Sequence, residues 1–308
     1  MRAGWTAGVT RARLLQNRAV GAAHAREVAR SRSLDAGIGV LAGSAYGERV
    51  HVGGGPAGAE RAVAETLLWH LRILAGWLPA RGAGLVRTLA GWFELANIDC
   101  RIAALAGDGR EPEPFMLGGL ATAWPRIDQA RTIDEVADGI AASAWGEIEG
   151  RTPGELSLGL RVSWARRVRE AAPGAWDWVA GAGALLLARE LLVARSRDHT
   201  AQLRRLPGAG DRMLAAVSLD DLRAALPAHA RWALDAIDDP RELWRGELGW
   251  WDRVERDAVA LLRTNSDEAV VLAAVTLLGV DARRTARALQ AAALGGGSEF
   301  EELVGGAA

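Results

Sequence analysis

Lysine is missing altogether: all 37 basic residues of the 308-residue chain are arginine. A coding bias toward Arg and Ala is the simplest origin of that usage. Its chemical effect is to exclude a Walker A phosphate cradle, which needs Gly-Lys-Ser/Thr, and every Schiff-base lysine mechanism. Cysteine is almost missing as well, since Cys100 stands alone. An intrachain disulfide and a Cys-rich zinc site are therefore excluded, and a reducing, cytoplasmic setting is expected.

Long hydrophobic runs are absent too. The two longest, residues 178–188 and 269–280, are well short of the roughly 20 residues that span a bilayer. Residues 1–22 are interrupted by Arg2, Arg11, Arg13 and Arg18, so they lack the continuous apolar core of a signal peptide. Nothing is expected to cross a membrane. A net charge of −1 supplies no long-range attraction for nucleic acid or an anionic surface.

The residues that are present describe a packed helical protein. Hydrophobic residues make up 50% and charged residues 24%, a globular balance. Ala, Leu, Arg and Glu dominate, and apolar residues recur at helical rather than alternating spacing, so the expected fold class is all-α. A first helix is read over 6–30. Ser33 caps a second, with Leu34, Ile38 and Leu41 on one face. Gly53, Gly54, Gly55 and Pro56 form a break.

Val63, Leu67, Leu71 and Leu74 share the face of a helix stopped at Pro79. A long helix from about Gly84 carries Leu85, Leu89, Trp92, Phe93 and Ile98 to a loop at Gly107, Asp108 and Gly109. Thr132 and Glu135 read as a capping box. Helices are expected over 155–172 and 174–205, separated by Pro173. Ser218 opens a helix stopped by Pro227, Asp239-Pro240 opens a long one through Trp244, Trp251 and Val254, and 269–294 is the last. Residues 298–308, with Glu299, Glu301 and Glu302, form a tail expected to be mobile.

Two internal matches stand out. Residues 97–108 align without gaps on 200–211, and 95–101 on 278–284, which puts Arg101, Arg204 and Arg284 at equivalent places.

Candidate chemistry is sparse. Asp238, Asp239 and Glu242 have the carboxylate spacing of a helical Mg²⁺-diphosphate site. Pro240, however, fits a helix start in which Asp239 caps and Glu242 completes the cap. Asp220-Asp221 reads the same way. His24, His51, His70, His199 and His229 form no metal-binding pair at helical spacing, and His70 is expected to be a satisfied core or interface group. No Gly-x-Ser-x-Gly elbow marks a nucleophile. The glycines at 53–58 follow no strand and are read as a loop. Arg161, Arg166, Arg167 and Arg169 with Trp164 form a basic face, read as solvated rather than RNA-binding. Thirteen tryptophans outnumber the three Phe and one Tyr. Trp69, Trp77, Trp92, Trp232, Trp244 and Trp251 are read as core anchors, with some of them at interfaces. The expected site residues are none: no catalytic, cofactor-binding or metal-ligating set is assigned.

Three stretches carry a family resemblance. Ala7-Gly-Val-Thr-Arg-Ala-Arg13, followed by Ser33-Leu34, Leu41 and Ala45-Tyr46-Gly47, resembles the opening helices of the C subunit (d in eukaryotes, AC39-like) of V/A-type rotary ATPases. Trp92-Phe-Glu-Leu-Ala-Asn97-Ile98 to Arg101, then Phe115-Met-Leu-Gly118-Gly119, is similar to that family's Asn-containing helix and following turn. Residues 277–284 with Ala288-Leu289 resemble its final helix. Asp198-His199-Thr200 and Val280-Asp281 depart from the Asn-Ile pattern.

The resemblance implies a funnel of three similar helical domains with pseudo-threefold symmetry, here 1–125, 126–215 and 216–297, with 298–308 as tail. It implies a non-catalytic role without cofactor, coupling the central stalk to the membrane proteolipid ring. The subunit would be cytoplasmic, attached to the membrane through those partners, with no nucleic acid bound. Two alternatives lie outside the family: a Mg²⁺-dependent isoprenoid-synthase-like helical enzyme, and a helical interaction scaffold.

Overall fold

The computed structural model describes residues 3–51, 53–107, 112–300 and 304–305, which contain helices and no strand. In chain order the helices are α1 (Ala3–Leu15), α2 (Gly21–Ala29), α3 (Leu34–Val40), α4 (Gly55–Gly76), α5 (Ala80–Leu89) and α6 (Gly91–Ala106). There follow α7 (Trp124–Ile127), α8 (Ile133–Ala141), α9 (Pro153–Ala171), α10 (Trp176–Ala188), α11 (Thr200–Arg204) and α12 (Asp211–Leu214). The last are α13 (Leu219–Ala225), α14 (Ala228–Arg231), α15 (Leu243–Leu262) and α16 (Asp267–Ala293). None of the described helices is long and apolar enough to cross a membrane.

The chain divides into two compact units, one formed by Met1–Val86 with Trp251–Ala308 and the other by Arg87–Trp250. In the first, α16 is the central element, packed by α1, α2, α3 and α4. Its buried face runs from Val270, Val271 and Ala274 to Leu278, Ala288 and Leu289. Val63, Leu67, Leu71 and Leu74, the stripe read from the sequence, are all buried. In the second unit, α6 packs on α8 and α9, while α10 packs on α9 and α14.

Helix starts follow side-chain capping. Ser33 Oγ accepts from Ala36 N at 3.2 Å, Thr132 Oγ1 from Glu135 N at 3.2 Å, and Ser218 Oγ from Asp221 N at 3.1 Å. Thr152 and Glu155 form a complete reciprocal capping box at the start of α9. The expected single helix over 6–30 is instead two, because a 3-10 turn at Gln16–Arg18 and Gly21, at φ 78°, redirect the chain. The helix expected over 174–205 also ends early. A π turn at Arg189–Val193 widens α10, and Arg195 then takes φ 53°, which stops it. The long helix expected from Gly84 begins at Ala80 and breaks at Ala90.

Val304, in the segment expected to be mobile, is buried, and its carbonyl accepts from Arg284 Nε at 3.1 Å. Asp108, Gly109, Glu301 and Glu302 of the expected loop and tail lie outside the described residues.

Candidate functional site

Each unit is organised around one buried carboxylate that holds a helix start. In the second unit Glu94, on α6, is almost fully buried. Its Oε1 accepts from the backbone N–H groups of Thr122, Ala123 and Trp124 at 2.7, 2.7 and 2.8 Å. These are orphan donors at the beginning of α7, whose cap position is Ala123 and offers no side-chain oxygen. Glu94 Oε2 accepts from Trp145 Nε1 at 2.8 Å.

In the first unit Asp281, on α16, does the same for α2. It accepts from Val20 N at 3.1 Å, Gly21 N at 2.8 Å and Tyr46 Oη at 2.9 Å. Burial, and then the negative charge of Asp281, push the Tyr46 phenol well above its ordinary pKa, so it stays a proton donor.

The local scaffolds match in their serine bonds and in the aromatic donor, although Glu94 accepts three backbone N–H groups and Asp281 two. Residues 33–47 and 132–146 align without gaps, with Asp35/Asp134, Ala42/Ala141, Ser44/Ser143, Ala45/Ala144 and Gly47/Gly146 identical. Ser44 Oγ donates to Leu41 O at 2.8 Å and accepts from Tyr46 N at 3.2 Å. Ser143 Oγ donates to Ile140 O at 2.6 Å and accepts from Trp145 N at 3.1 Å. Upstream, each copy has a 3-10 turn, Gln16–Arg18 and Gly118–Leu120, followed by one extended alanine, Ala19 or Ala121.

This correspondence puts Asp281 in the role of Glu94. The sequence match of 95–101 to 278–284 had paired Asp281 with Ile98, one helical turn away. Another capped helix, α13, starts with the same Ser-Leu-Asp as α3, but His229 stands where the serine would be. The ungapped match of 33–47 to 132–146 was the available signal for this network.

α6 is fixed by two more polar side chains. Asn97 clamps the backbone of Phe115, accepting from its N at 2.7 Å and donating to its O at 3.0 Å. Arg101 Nε donates to Ala130 O at 3.1 Å. Arg284 likewise donates to a backbone carbonyl and also to Glu255 Oε2 at 2.6 Å, whereas Arg204 pairs with Asp211.

Of the acidic motifs only Asp239 acts as a cap, because the capping oxygen of α13 is that of Ser218 and Glu242 pairs with Arg245 at 3.7 Å instead of completing the cap. Asp239 Oδ1 accepts from Arg241 N at 2.8 Å and Pro240 opens a 3-10 turn. The fold nevertheless brings Asp238 and Asp220, unrelated in sequence, to one open cavity of about 580 Å³. Leu191 and Leu192 of the π turn, Arg195, Val217 and Leu219 complete its wall. Asp220 pairs with Arg223 at 2.9 Å. Among the described residues no three His, Cys, Asp or Glu side chains gather as a metal site.

The histidines are scattered. His24 Nε2 lies 3.0 Å from Val40 O, and His199 Nδ1 lies 2.9 Å from Glu190 Oε2. His229 packs against Trp176, and His51 is exposed. His70 is buried as expected, but among the described residues neither ring nitrogen has a hydrogen-bond partner.

The basic face on α9 is solvated at Arg161, Arg166 and Arg169, which are exposed, and several of its side chains are also engaged. Arg161 holds Asp99 at 2.8 Å, Arg167 lies over Trp145 and Arg169 over Trp176, and Trp164 Nε1 donates to Thr88 O at 2.8 Å. Burial lowers the Arg167 pKa from its ordinary value.

The tryptophans correct another expectation. Trp69, Trp77, Trp92 and Trp244, read as core anchors, are exposed, while Trp124, Trp145 and Trp178 are buried. Periodicity counts Trp as apolar, yet its N–H and its size let it sit at a surface. No family model and no curated protein matches the chain.

Proposed function

We propose that the chain is a non-catalytic connector of the C/d type in a V/A-type rotary ATPase, joining the central stalk to the cytoplasmic face of the membrane proteolipid ring. The observation that carries this reading is the buried network built twice from aligned segments, with the Ser-Leu-Asp helix start of 33–35 recurring at 218–220. A chain assembled from repeated helical modules is what a three-domain, pseudo-threefold funnel over 1–125, 126–215 and 216–297 requires.

The networks also suit the work. A carboxylate that ties helix starts to a central helix resists shear, and close-packed interiors deform little under load. Exposed tryptophans on both units supply anchors of the kind that dominate protein interfaces. ATP chemistry and ion translocation belong, on this reading, to other subunits.

Co-expression with the stalk and ring subunits from the same genome is expected to give a complex that contains this chain in fixed stoichiometry. An intact, coupled complex lacking it overturns the proposal. The cavity shared by Asp220 and Asp238 favours one alternative, a Mg²⁺-dependent enzyme acting on diphosphates. Mg²⁺-dependent diphosphate release by the parent, abolished by Asp220→Asn with Asp238→Asn, establishes that alternative, and a parent that releases none removes it.

A further inference from the structure

The open cavity of about 580 Å³ in the second unit lies between three separate segments: the π turn with Arg195 behind it, the start of α13, and the loop that leads into Pro240. Its size is that of a small-molecule site. The diphosphate alternative draws on two aspartates, and the wall holds more than those. Leu191, Leu192 and Val217 give it an apolar side, and Val217 is 71% exposed.

Two opposite charges face this cavity without partners. Among the described residues no hydrogen bond or ion pair engages the Arg195 guanidinium or the Asp238 carboxylate, and the two are not paired with each other. Asp220 differs, because Arg223 holds it at 2.9 Å.

The backbone brings the guanidinium there at a cost. Among the described residues Arg195 is the one non-glycine at positive φ, 53°, and the other such positions are all glycine. A helix stop alone is met with less strain by glycine, which has no Cβ to clash. Residues held in this region cluster at ligand sites. The π turn just before it carries Leu191 and Leu192 to the cavity wall, and such turns recur at functional sites as well.

We propose that this cavity binds a zwitterion with an aliphatic body. Arg195 holds its carboxylate, Asp238 holds its ammonium, and its apolar part lies on Leu191, Leu192 and Val217. A carboxylate matches the guanidinium fork, an ammonium matches an unpaired carboxylate, and both bonds are charge-assisted. A metal ion or an inorganic anion answers one of the two charges and leaves the apolar wall unused. Such binding is independent of the coupling role. The same chemistry is offered by a free branched amino acid and by a short apolar peptide.

The test titrates the full-length protein with L-leucine and, separately, with the dipeptide Leu-Leu, read by ligand-observed NMR. Saturable binding of at least one of them is expected. Each probe is compared with its N-acetylated form, which lacks the ammonium, and its C-amidated form, which lacks the carboxylate. Either block is expected to weaken binding at least about tenfold, the loss of one charge-assisted contact. Arg195→Gly and Asp238→Asn, both at exposed positions, are each expected to weaken binding of the responding probe by a similar factor of about ten. Asp238→Asn is expected to melt as the parent does, and Arg195→Gly as the parent or higher, since glycine relieves the positive φ.

A response to leucine makes the free amino acid sufficient, and a response to Leu-Leu alone identifies a peptide. Silence with both probes, full affinity of either blocked form, or full affinity in either variant overturns the site. Binding of Mg²⁺ with pyrophosphate while both zwitterions stay silent overturns it in favour of the diphosphate alternative.

Discussion

At the scale of single residues, Tyr46 and Trp145 are unlike in chemistry but equivalent in use, each giving one donor to a buried carboxylate. Tyr46→Phe and Trp145→Phe are each expected to lower unfolding free energy by about 1.5–3 kcal/mol, the range for a hydrogen bond to a charged group. Double-mutant cycles pairing Tyr46→Phe with Asp281→Asn, and Trp145→Phe with Glu94→Gln, are expected to give coupling energies of about 0.5–3 kcal/mol, read from urea unfolding. A cross-cycle between Tyr46 and Glu94, which belong to separate networks, is expected to be additive.

His70 adds a pH dependence of definite sign. Its pKa is about 4 in the folded protein against an ordinary 6.5, so the unfolded chain binds the extra proton between those values. Stability is expected to fall as pH drops from about 6.5 to about 4 and to level off below. The ceiling is about 3 kcal/mol from the linkage of shift to energy. His70→Phe is expected to flatten that limb in urea titrations. The burial was legible in the sequence, from the place of His70 beside the leucine stripe, but the missing partner was not. Whether a buried imidazole finds a partner is decided by residues far along the chain.

At the scale of elements, helix starts were readable and helix interiors were not. Ser33, Thr132, Ser218 and Asp239 announce starts because a short oxygen-bearing side chain satisfies a nearby N–H, which is a local interaction. The breaks at Ala90 and at the π turn leave no such mark, since Ala, Leu and Arg suit continuous helix equally well. The break at Gly21 depends on Asp281, far away in sequence.

Close helix contacts were equally hidden. A Cβ on Gly181 of α10 would lie 2.6 Å from Trp232 Cζ2. Gly181→Ala is therefore expected to destabilise the second unit by about 1–3 kcal/mol, by the overpacking it forces, although alanine favours helix. Thermal unfolding read by circular dichroism checks both sign and size.

At the scale of the whole molecule, the all-helical class followed from composition and spacing, while the division into two units did not. Periodicity shows which face of a helix is buried but not which helix covers it. The exposed tryptophans belong to this scale, because their meaning depends on a partner. If Trp77 anchors the proposed complex, Trp77→Ala is expected to weaken assembly by about 2 kcal/mol or more. The isolated chain's melting temperature should change little, since Trp77 is 53% exposed. Equal losses in stability and assembly would assign the residue to folding instead.

The closure of the first unit by α16 bears on how the chain matures. Residues 87–250 form their unit from one continuous stretch, so its internal packing needs no later segment. α1 to α4 wait for a helix made roughly 200 residues after α4, and Asp281 arrives with it. During that interval the start of α2 has no carboxylate, Tyr46 has no acceptor, and the Leu67, Leu71 and Leu74 stripe is uncovered. A discontinuous unit thus leaves its earlier half exposed until its later half is made, whereas the continuous unit has no such delay.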